Sequence, residues 1–180
     1  MNNKPVSPGN IVAFSGVHGT GKTTAVLSMA HQLKIGNVAK GNVGVIQEIS
    51  RLCPLPVMSQ SCGTPSEAAQ QWIFSRQLQA EIEASSNYGI VVSDRTLVDS
   101  AAYTRYFKYD DLADAMEAII ASRQAYRVVF YRTIANNPWC LPDGFRNIDS
   151  HGRELIEKIM IGIYERLDIK IVIDRSWLAS

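Results

Sequence analysis

The sequence has 180 residues, 46% of them hydrophobic and 19% charged, with a formal net charge of +1 at pH 7. These values are typical of one globular domain with one core, and the near-neutral charge gives no support for a nucleic-acid or membrane partner. No apolar run approaches the roughly 20 residues of a membrane span, and residues 1–5 lack the apolar core of a signal peptide. Cys53, Cys62 and Cys140 show no metal-ligand spacing. We therefore expect a single cytoplasmic domain, 1–180, with reduced thiols.

The first predicted strand covers about 10–15, and a sequence of the form G-x-x-x-x-G-K-[ST] follows it at 16–23. Apolar residues at helical spacing then predict a helix to about Leu33. A strand, this loop and a helix in that order are typical of a phosphate-binding loop, because the glycines let successive backbone N–H groups face one anion. The predicted nucleotide-binding residues are Gly16, Val17, His18, Gly19, Thr20, Gly21, Lys22, Thr23 and Thr24.

Two side chains of this loop are suited to a nucleoside triphosphate. Lys22 is predicted to reach the β- and γ-phosphates, and Thr23 to offer its hydroxyl to Mg²⁺. His18 lies at a variable position of the pattern, so the sequence assigns it no special role.

The rest of the pattern alternates strands with helices. The further predicted strands are 45–47, 90–94, 127–131 and 170–174. The further predicted helices are 64–85, 96–107, 112–120 and 155–167. Thr64 is predicted to cap the first of these, with Pro65 as its first residue, and a capping-box pattern at 96–99 is predicted to open the second. The stretch Gly36–Gly44 predicts a turn region, whereas 49–64 and 133–147 show no regular period. This alternation predicts a parallel sheet with helices on both faces and a ligand at the carboxyl ends of the strands.

Two predicted strands end in an acidic residue. Asp94 is predicted to hold Mg²⁺ against Thr23, the alternative being an aspartate that caps the next turn. Arg95 follows where many motor-type ATPases have a carboxylate that orients water, and a cation there favours phosphoryl transfer to an acceptor over hydrolysis. Glu48 either accepts a proton from the acceptor hydroxyl or pairs with Arg51.

Three arginines flank the last predicted loop, namely Arg132, Arg146 and Arg153. Arginines in this region are suited to close on a triphosphate and to stabilise charge during transfer, although each taken alone is also typical of a surface charge. Arg146 is the favoured candidate, because it lies in the glycine-containing stretch Asp143–Arg146.

The phosphate loop, Glu48 with Arg51, the Asp94-Arg95-Thr96 stretch and the 143–146 loop together resemble the nucleoside and nucleotide kinase group of phosphate-loop proteins. The resemblance is strongest to small stand-alone domains similar to nicotinamide riboside kinase domains, often labelled AAA-type ATPases or predicted kinases. Thymidylate and deoxynucleoside kinases share the general layout. The resemblance implies a three-layer α/β P-loop NTPase fold, with a five-stranded parallel sheet of order 2-3-1-4-5 and a short lid.

The same resemblance implies that Lys22 and Thr23 serve ATP and Mg²⁺ and that Asp94 lies near the metal. The implied base, acceptor contact and lid residue are Glu48, Arg95 and Arg146.

We therefore predict an ATP- and Mg²⁺-dependent phosphotransferase that acts on a nucleoside or a nucleotide. An ATPase or GTPase switch with a protein partner, a non-catalytic nucleotide-binding module and a nucleic-acid kinase are the alternatives. GTPases usually carry an Asn-Lys-x-Asp signature for guanine late in the chain. The single Asn-Lys pair of this sequence, Asn3-Lys4, precedes the phosphate loop and has no aspartate two residues on. The acceptor and the choice of Glu48 or Asp94 as the base stay open, and the apolar helices leave room for a homodimer.

Overall fold

The computed structural model describes residues 9–37, 42–57, 64–134 and 150–174. The strands are β1 (Ile11–Ser15), β2 (Val43–Ile46), β3 (Ile90–Asp94), β4 (Tyr126–Tyr131) and β5 (Ile171–Ile173). The α-helices are α1 (Lys22–Ile35), α2 (Glu67–Asn87), α3 (Leu97–Tyr106), α4 (Asp110–Ala121) and α5 (Ser150–Arg166). A single-turn 3₁₀ helix, Ile49–Leu52, follows β2.

The five strands form one parallel sheet in the order β2-β3-β1-β4-β5, which confirms the predicted architecture. β1 lies at the centre and is buried along its whole length, as its continuous apolar run indicates. Register pairs Phe14 with Asp94 on one side and Ser15 with Tyr131 on the other. The carboxyl ends of these three strands therefore meet directly below the start of α1.

Helices cover both faces of the sheet. Ala13 belongs to a large hydrophobic cluster that includes residues of α2, α3, α4 and α5, whereas its neighbour Phe14 belongs to a smaller cluster with Val26 of α1. Successive side chains of a strand point to opposite faces, so one strand contributes to both cores. The rings of Phe14 and Phe130 stack at a centroid distance of 5.3 Å and strengthen the smaller core.

β2 starts two residues earlier than predicted, because Gly44 belongs to the strand and not to a turn. A Cβ at Gly44 would lie 2.5 Å from Cδ2 of Tyr88, so the glycine permits a close approach between the strand and this ring. Glycine-rich composition alone does not distinguish such a packing position from a turn.

The predicted cap of α2 was wrong. Ser66, and not Thr64, caps the helix: its hydroxyl accepts a hydrogen bond of 3.2 Å from the N–H of Ala69. Pro65 therefore precedes the cap. The capping box predicted at the start of α3 is present and joins Thr96 to Asp99.

The segment after β2, which has no period in the sequence, contains the 3₁₀ turn at 49–52. The loop with Asp143–Arg146 lies outside the described residues. Among the helices described, none is both long and apolar enough to cross a bilayer.

Candidate active site

The glycine-rich loop joins the end of β1 to the start of α1. Gly16, Gly19 and Gly21 have φ values of 137°, 74° and 74°. A Cβ at Gly16 would lie 2.3 Å from the carbonyl oxygen of Arg132, and one at Gly21 would lie 2.8 Å from Nη1 of the same residue. Conformation and packing therefore both require glycine at these two positions.

Arg132, at the end of β4, supports the loop from inside the protein. Its Nε donates to Oδ2 of Asp174 at 2.6 Å, and its Nη1 donates to the carbonyl oxygens of Thr20 and Gly21 at 3.1 and 2.7 Å. The side chain is buried, with 6% of the residue exposed. Arg132 is therefore not a surface charge. It lies beneath the loop and fixes the loop backbone through these hydrogen bonds, a role called bracing below.

Lys22 is buried at the mouth of the loop. Its Nζ donates to the carbonyl oxygen of Val17 at 2.6 Å and to Oγ1 of Thr20 at 3.3 Å. Burial, with a further contribution from Arg95, lowers the pKa of Lys22 to about 7. An anion in the adjacent cavity would stabilise the charged form of this ammonium group.

That cavity has a volume of about 190 Å³. It is lined by the phosphate loop on one side and by charged residues of other elements on the opposite side: His18, Gly19, Gly21, Lys22, Thr23, Glu48, Arg51, Asp94 and Arg95. Of the residues predicted for catalysis, only Arg146 lies outside the described part of the chain. The fold brings all the others to one cavity.

Thr23 and Asp94 form a pair that is suited to a divalent cation. Oγ1 of Thr23 donates to Oδ2 of Asp94 at 2.6 Å, and Asp94 is buried with 1% exposed. Oδ1 of Asp94 is also buried, and it has no hydrogen-bond partner among the described residues. A buried carboxylate oxygen without a donor fits a cation or its bound water, so the residues present match the predicted Mg²⁺ site.

Arg95 has a φ of 89°, which is uncommon for a residue with a side chain. Its Nε and Nη2 each lie 3.0 Å from Oε1 of Glu48, and Nη1 lies 3.3 Å from Oδ1 of Asp99. The guanidinium carbon lies 5.7 Å from the centre of the Tyr103 ring. Burial lowers the pKa of Arg95, but Glu48, Tyr103 and Asp99 together raise it above its ordinary value, so the group stays charged.

Glu48 pairs with Arg51, which was one of its two predicted roles, and its role as a base stays a prediction. Its Oε2 accepts from Nε of Arg51 at 3.0 Å, and its Oε1 accepts from Oγ of Ser50 at 2.7 Å in addition to Arg95. Only 9% of the Glu48 side chain is exposed, whereas 53% of the Arg51 side chain is exposed. The carboxylate is therefore held in a defined position between the phosphate cavity and the solvent-facing Arg51.

A second cavity has a volume of about 50 Å³. Its lining is mostly apolar and comes from the 3₁₀ turn, α2 and α3: Ser50, Val57, Pro65, Gln70, Ile73, Arg95, Asp99, Ser100, Tyr103 and Phe107. Arg95 lines both cavities. We call the cavity beside the loop the phosphate cavity, and the second one, which Tyr103 and Phe107 line, the aromatic cavity.

Residues 11–178 match the model of a protein family described as an AAA domain. The chain belongs to this AAA domain family. No curated protein matches the sequence.

The fold of this AAA domain protein is similar to those of several solved structures, two of which are kinases. Thymidylate kinase from Ehrlichia chaffeensis is 15% identical, with a TM-score of 0.64 over 93% of this chain and 87% of that one. Deoxyadenosine kinase from M. mycoides is 13% identical, with a TM-score of 0.63 over 91% and 88%. The NadR protein in complex with NR is 20% identical, with a TM-score of 0.66 over 93% of this chain but only 46% of that one. The fold is thus that of the phosphate-loop nucleoside and nucleotide kinases, as the resemblance implied.

Sequence reasoning recognised Asp99 only as a helix-capping residue. Its Oδ2 accepts from Oγ of Ser15 at 2.8 Å, from the N–H of Thr96 at 3.0 Å and from Oγ1 of Thr96 at 2.8 Å, and its Oδ1 accepts from Arg95. Asp99 thereby joins the end of β1 to the turn that carries Arg95. The only signal in the sequence is an acidic residue shortly after the Asp94-Arg95 pair.

His18 has contacts that its position in the motif does not predict. Its backbone N–H donates to Oη of Tyr103 at 3.3 Å, and its Nδ1 lies 3.1 Å from the same oxygen. Nη2 of Arg153 donates to its carbonyl oxygen at 3.3 Å. His18 therefore connects the phosphate loop to the aromatic cavity and to α5, and Arg153 contacts the loop through this carbonyl oxygen.

Proposed function

We propose that this protein is an ATP- and Mg²⁺-dependent phosphotransferase that moves the γ-phosphoryl group to a hydroxyl of a nucleoside. The observation that carries this proposal is that Arg95 lines both the phosphate cavity and the aromatic cavity and holds Glu48 in the phosphate cavity. A hydrolase needs access for water at this point, whereas a transferase needs a compartment for a second substrate.

On the donor side, the loop N–H groups bind the phosphates and Lys22 exchanges the carbonyl of Val17 for phosphate oxygens. Thr23 and Asp94 would hold Mg²⁺, which neutralises negative charge on the phosphates. Arg132 keeps the loop in place, because its Nε donates to Asp174 and its Nη1 donates to the loop carbonyls of Thr20 and Gly21. This side of the site accounts for ATP binding and charge neutralisation.

On the acceptor side, Glu48 is the better candidate for the base. In Asp94, Oδ2 accepts from Thr23 and Oδ1 has no donor among the described residues, so this carboxylate would hold the cation. Glu48 is instead oriented in the phosphate cavity by Arg95, the residue that lines both cavities, and an attacking hydroxyl would approach it there. A carboxylate held there is suited to accept the proton of the hydroxyl as the bond to phosphorus forms.

The charges around the aromatic cavity favour a nucleoside over a nucleotide. Arg95 is the charged group that both cavities share, and its guanidinium is already bound by Glu48 and Asp99. A phosphate on the acceptor would lie near two carboxylates and would compete with them for one guanidinium. An uncharged sugar with a planar base meets no such cost, and Tyr103 and Phe107 offer aromatic surface for the base.

The first experiment is an assay of product formation with Mg-ATP and separate acceptors: the common nucleosides, their 5′-monophosphates and nicotinamide riboside. ADP release that requires a nucleoside, with the phosphorylated nucleoside detected by mass spectrometry, is the expected result. Transfer to monophosphates but not to nucleosides would overturn the assignment of the acceptor. Equal ADP release with and without acceptors would instead favour the ATPase or switch with a protein partner.

Matched variants test the assigned roles. Lys22→Ala is expected to lower the rate at least about 100-fold with the fold retained, whereas Lys34→Ala, an exposed lysine of the same helix, is expected to have no effect. Glu48→Gln removes the base and is expected to lower kcat about 100-fold or more with little change in ATP affinity. Wild-type turnover by Lys22→Ala would contradict the proposed function as a whole.

A further inference from the structure

The turn between β3 and α3 places Arg95 in the site, and its backbone is in an unfavourable conformation. The φ of 89° persists only if surrounding contacts hold the turn. The N–H of Arg95 donates to the carbonyl oxygen of Phe14 at 2.9 Å, and its own carbonyl oxygen accepts from Oγ of Ser93 at 2.8 Å. Two residues further on, the N–H of Leu97 donates to Oη of Tyr126 at 2.8 Å. Side chains thus hold the turn at both of its ends.

Both of these side chains lead to the same carboxylate. Tyr126 donates its hydroxyl hydrogen to Oε1 of Glu81 at 2.9 Å. Gln77 donates from Nε2 to Oε1 of Glu81 at 3.2 Å and also to Oγ of Ser93 at 3.2 Å. One relay therefore runs from Glu81 through Tyr126 to Leu97, and the other runs through Gln77 and Ser93 to the carbonyl of Arg95.

Along both relays, each hydrogen bond has one available donor hydrogen and one available acceptor oxygen. The single hydroxyl hydrogen of Tyr126 is used on Glu81, which leaves its oxygen free to accept from Leu97. Gln77 uses its two N–H groups on Glu81 and Ser93, and Ser93 passes its own hydrogen to Arg95. Every link has one direction only, so the relays fix the turn in one arrangement.

Glu81 lies on α2 and is fully buried, with 0% exposed. Arg123 is the cation that faces it, at 3.7 Å from Oε2, and Oε2 has no hydrogen-bond partner among the described residues. A buried carboxylate of this kind is costly compared with an apolar side chain of similar size. We therefore expect Glu81 to have a role that an apolar residue at this position would not perform.

We infer that Glu81 is a positioning residue of the phosphotransferase site, which holds the strained turn at Arg95 through Tyr126 on one side and through Gln77 and Ser93 on the other. This inference rests on the proposed function for its catalytic consequence. Glu81 touches neither cavity, so it acts only through the position of Arg95, and through Arg95 on Glu48.

The test compares Glu81→Leu, Glu81→Gln and Tyr126→Phe with Glu83→Leu, an exposed glutamate of the same helix. Glu81→Leu and Tyr126→Phe are expected to lower kcat for transfer by about 10-fold to 100-fold, with the Kd for ATP unchanged within twofold. Glu81→Gln keeps an acceptor oxygen and is expected to stay within about threefold of the wild type. Glu83→Leu is expected to match the wild type.

A purely structural role of Glu81 would lower thermal stability while leaving kcat of the folded enzyme unchanged, and this result would overturn the inference. Tyr126→Phe, which changes one hydroxyl group, keeps the test valid if Glu81→Leu does not fold. Equal losses of kcat in Glu81→Gln and Glu81→Leu would also contradict the relay.

Hydrogen exchange separates this inference from the proposed function, since it needs no substrate. Glu81→Leu is expected to speed the exchange of the Arg95 and Leu97 amides at least tenfold relative to Glu83→Leu, with the amides of the phosphate loop unchanged. Unchanged exchange would refute the relay even if the enzyme transfers phosphate. Faster exchange in a protein that phosphorylates no acceptor would support the relay and refute the proposed function.

Discussion

Replacement of Glu81 by glutamine is expected to change how the stability of the protein depends on pH. Burial raises the pKa of Glu81 from its ordinary value of 4.5 to about 7, although hydrogen bonds from Tyr126 and Gln77 and the charge of Arg123 oppose this shift. Between these two pH values the folded state binds more protons at this position than the unfolded state. The folded wild type therefore loses stability as pH rises through this range.

The size of the effect follows from the two pKa values. Linkage between pKa values of 4.5 and about 7 predicts that this carboxyl lowers the free energy of unfolding by about 2 to 3 kcal/mol between pH 5 and pH 8. Glu81→Gln has no proton to lose but keeps an oxygen that accepts from Tyr126. The free energy of unfolding of the variant, relative to that of the wild type, is therefore expected to rise by this amount between pH 5 and pH 8.

Urea unfolding at pH 5, 6, 7 and 8 measures this difference, because every other titrating group contributes equally to both proteins. Glu83→Gln, with its carboxyl exposed on the same helix, serves as the control and is expected to show no trend with pH. A difference between Glu81→Gln and the wild type that stays constant from pH 5 to pH 8 would refute the reasoning. A difference that falls with pH would show that the folded state stabilises the ionised form.

Five further variants test the phosphate loop and helices α2 and α5. Gly16→Ala is expected to lower the free energy of unfolding by at least about 2 kcal/mol and to abolish ATP binding, because φ is 137° and the added Cβ would meet the Arg132 carbonyl oxygen. Gly162→Ala in α5 has only an ordinary contact at 3.6 Å and is expected to raise the free energy of unfolding by about 0.5–1 kcal/mol. Thermal denaturation with and without Mg-ATP measures both effects. Arg132→Met removes the buried partner of Asp174 and should cost about 3 kcal/mol in urea unfolding, and an unchanged midpoint would refute the bracing role. Ser66→Ala is expected to lower the free energy of unfolding by about 1 kcal/mol in the same assay, and Thr64→Ala is expected to leave it unchanged. The reverse result would show that Thr64 caps the helix, as the sequence predicts.

The sequence predicted the elements that local signals specify. The capping box at Thr96 and Asp99 and the helical spacing of α5 both correspond to observed helices, because each depends on residues within one or two turns. The cap of α2 was misplaced by two residues, since Thr64 and Ser66 are both suitable cap residues and only the backbone conformation decides between them. Gly44 was taken for a turn residue, because a glycine required by a distant ring looks the same in the sequence as one required by its own φ angle.

For the site, the sequence identified the residues that chemistry marks within a short motif. Lys22, Thr23 and the Asp94-Arg95 pair could be named in advance, because a phosphate loop and a strand-end acid are contiguous patterns. Arg146 and its place in a lid stay a prediction, since they lie outside the described residues.

By itself, the sequence determined that a phosphate loop sits between a buried strand and a helix, and that alternating elements form a parallel sheet. Only the tertiary structure decided what surrounds the loop. The bond of Asp99 to Ser15 joins residues 84 positions apart, and the bond of Arg132 to Gly21 joins residues 111 positions apart. Such contacts depend on the order of the strands and on the packing of helices against them, which no local pattern encodes. The role of a buried arginine or glutamate therefore becomes visible only when its distant partners are in place.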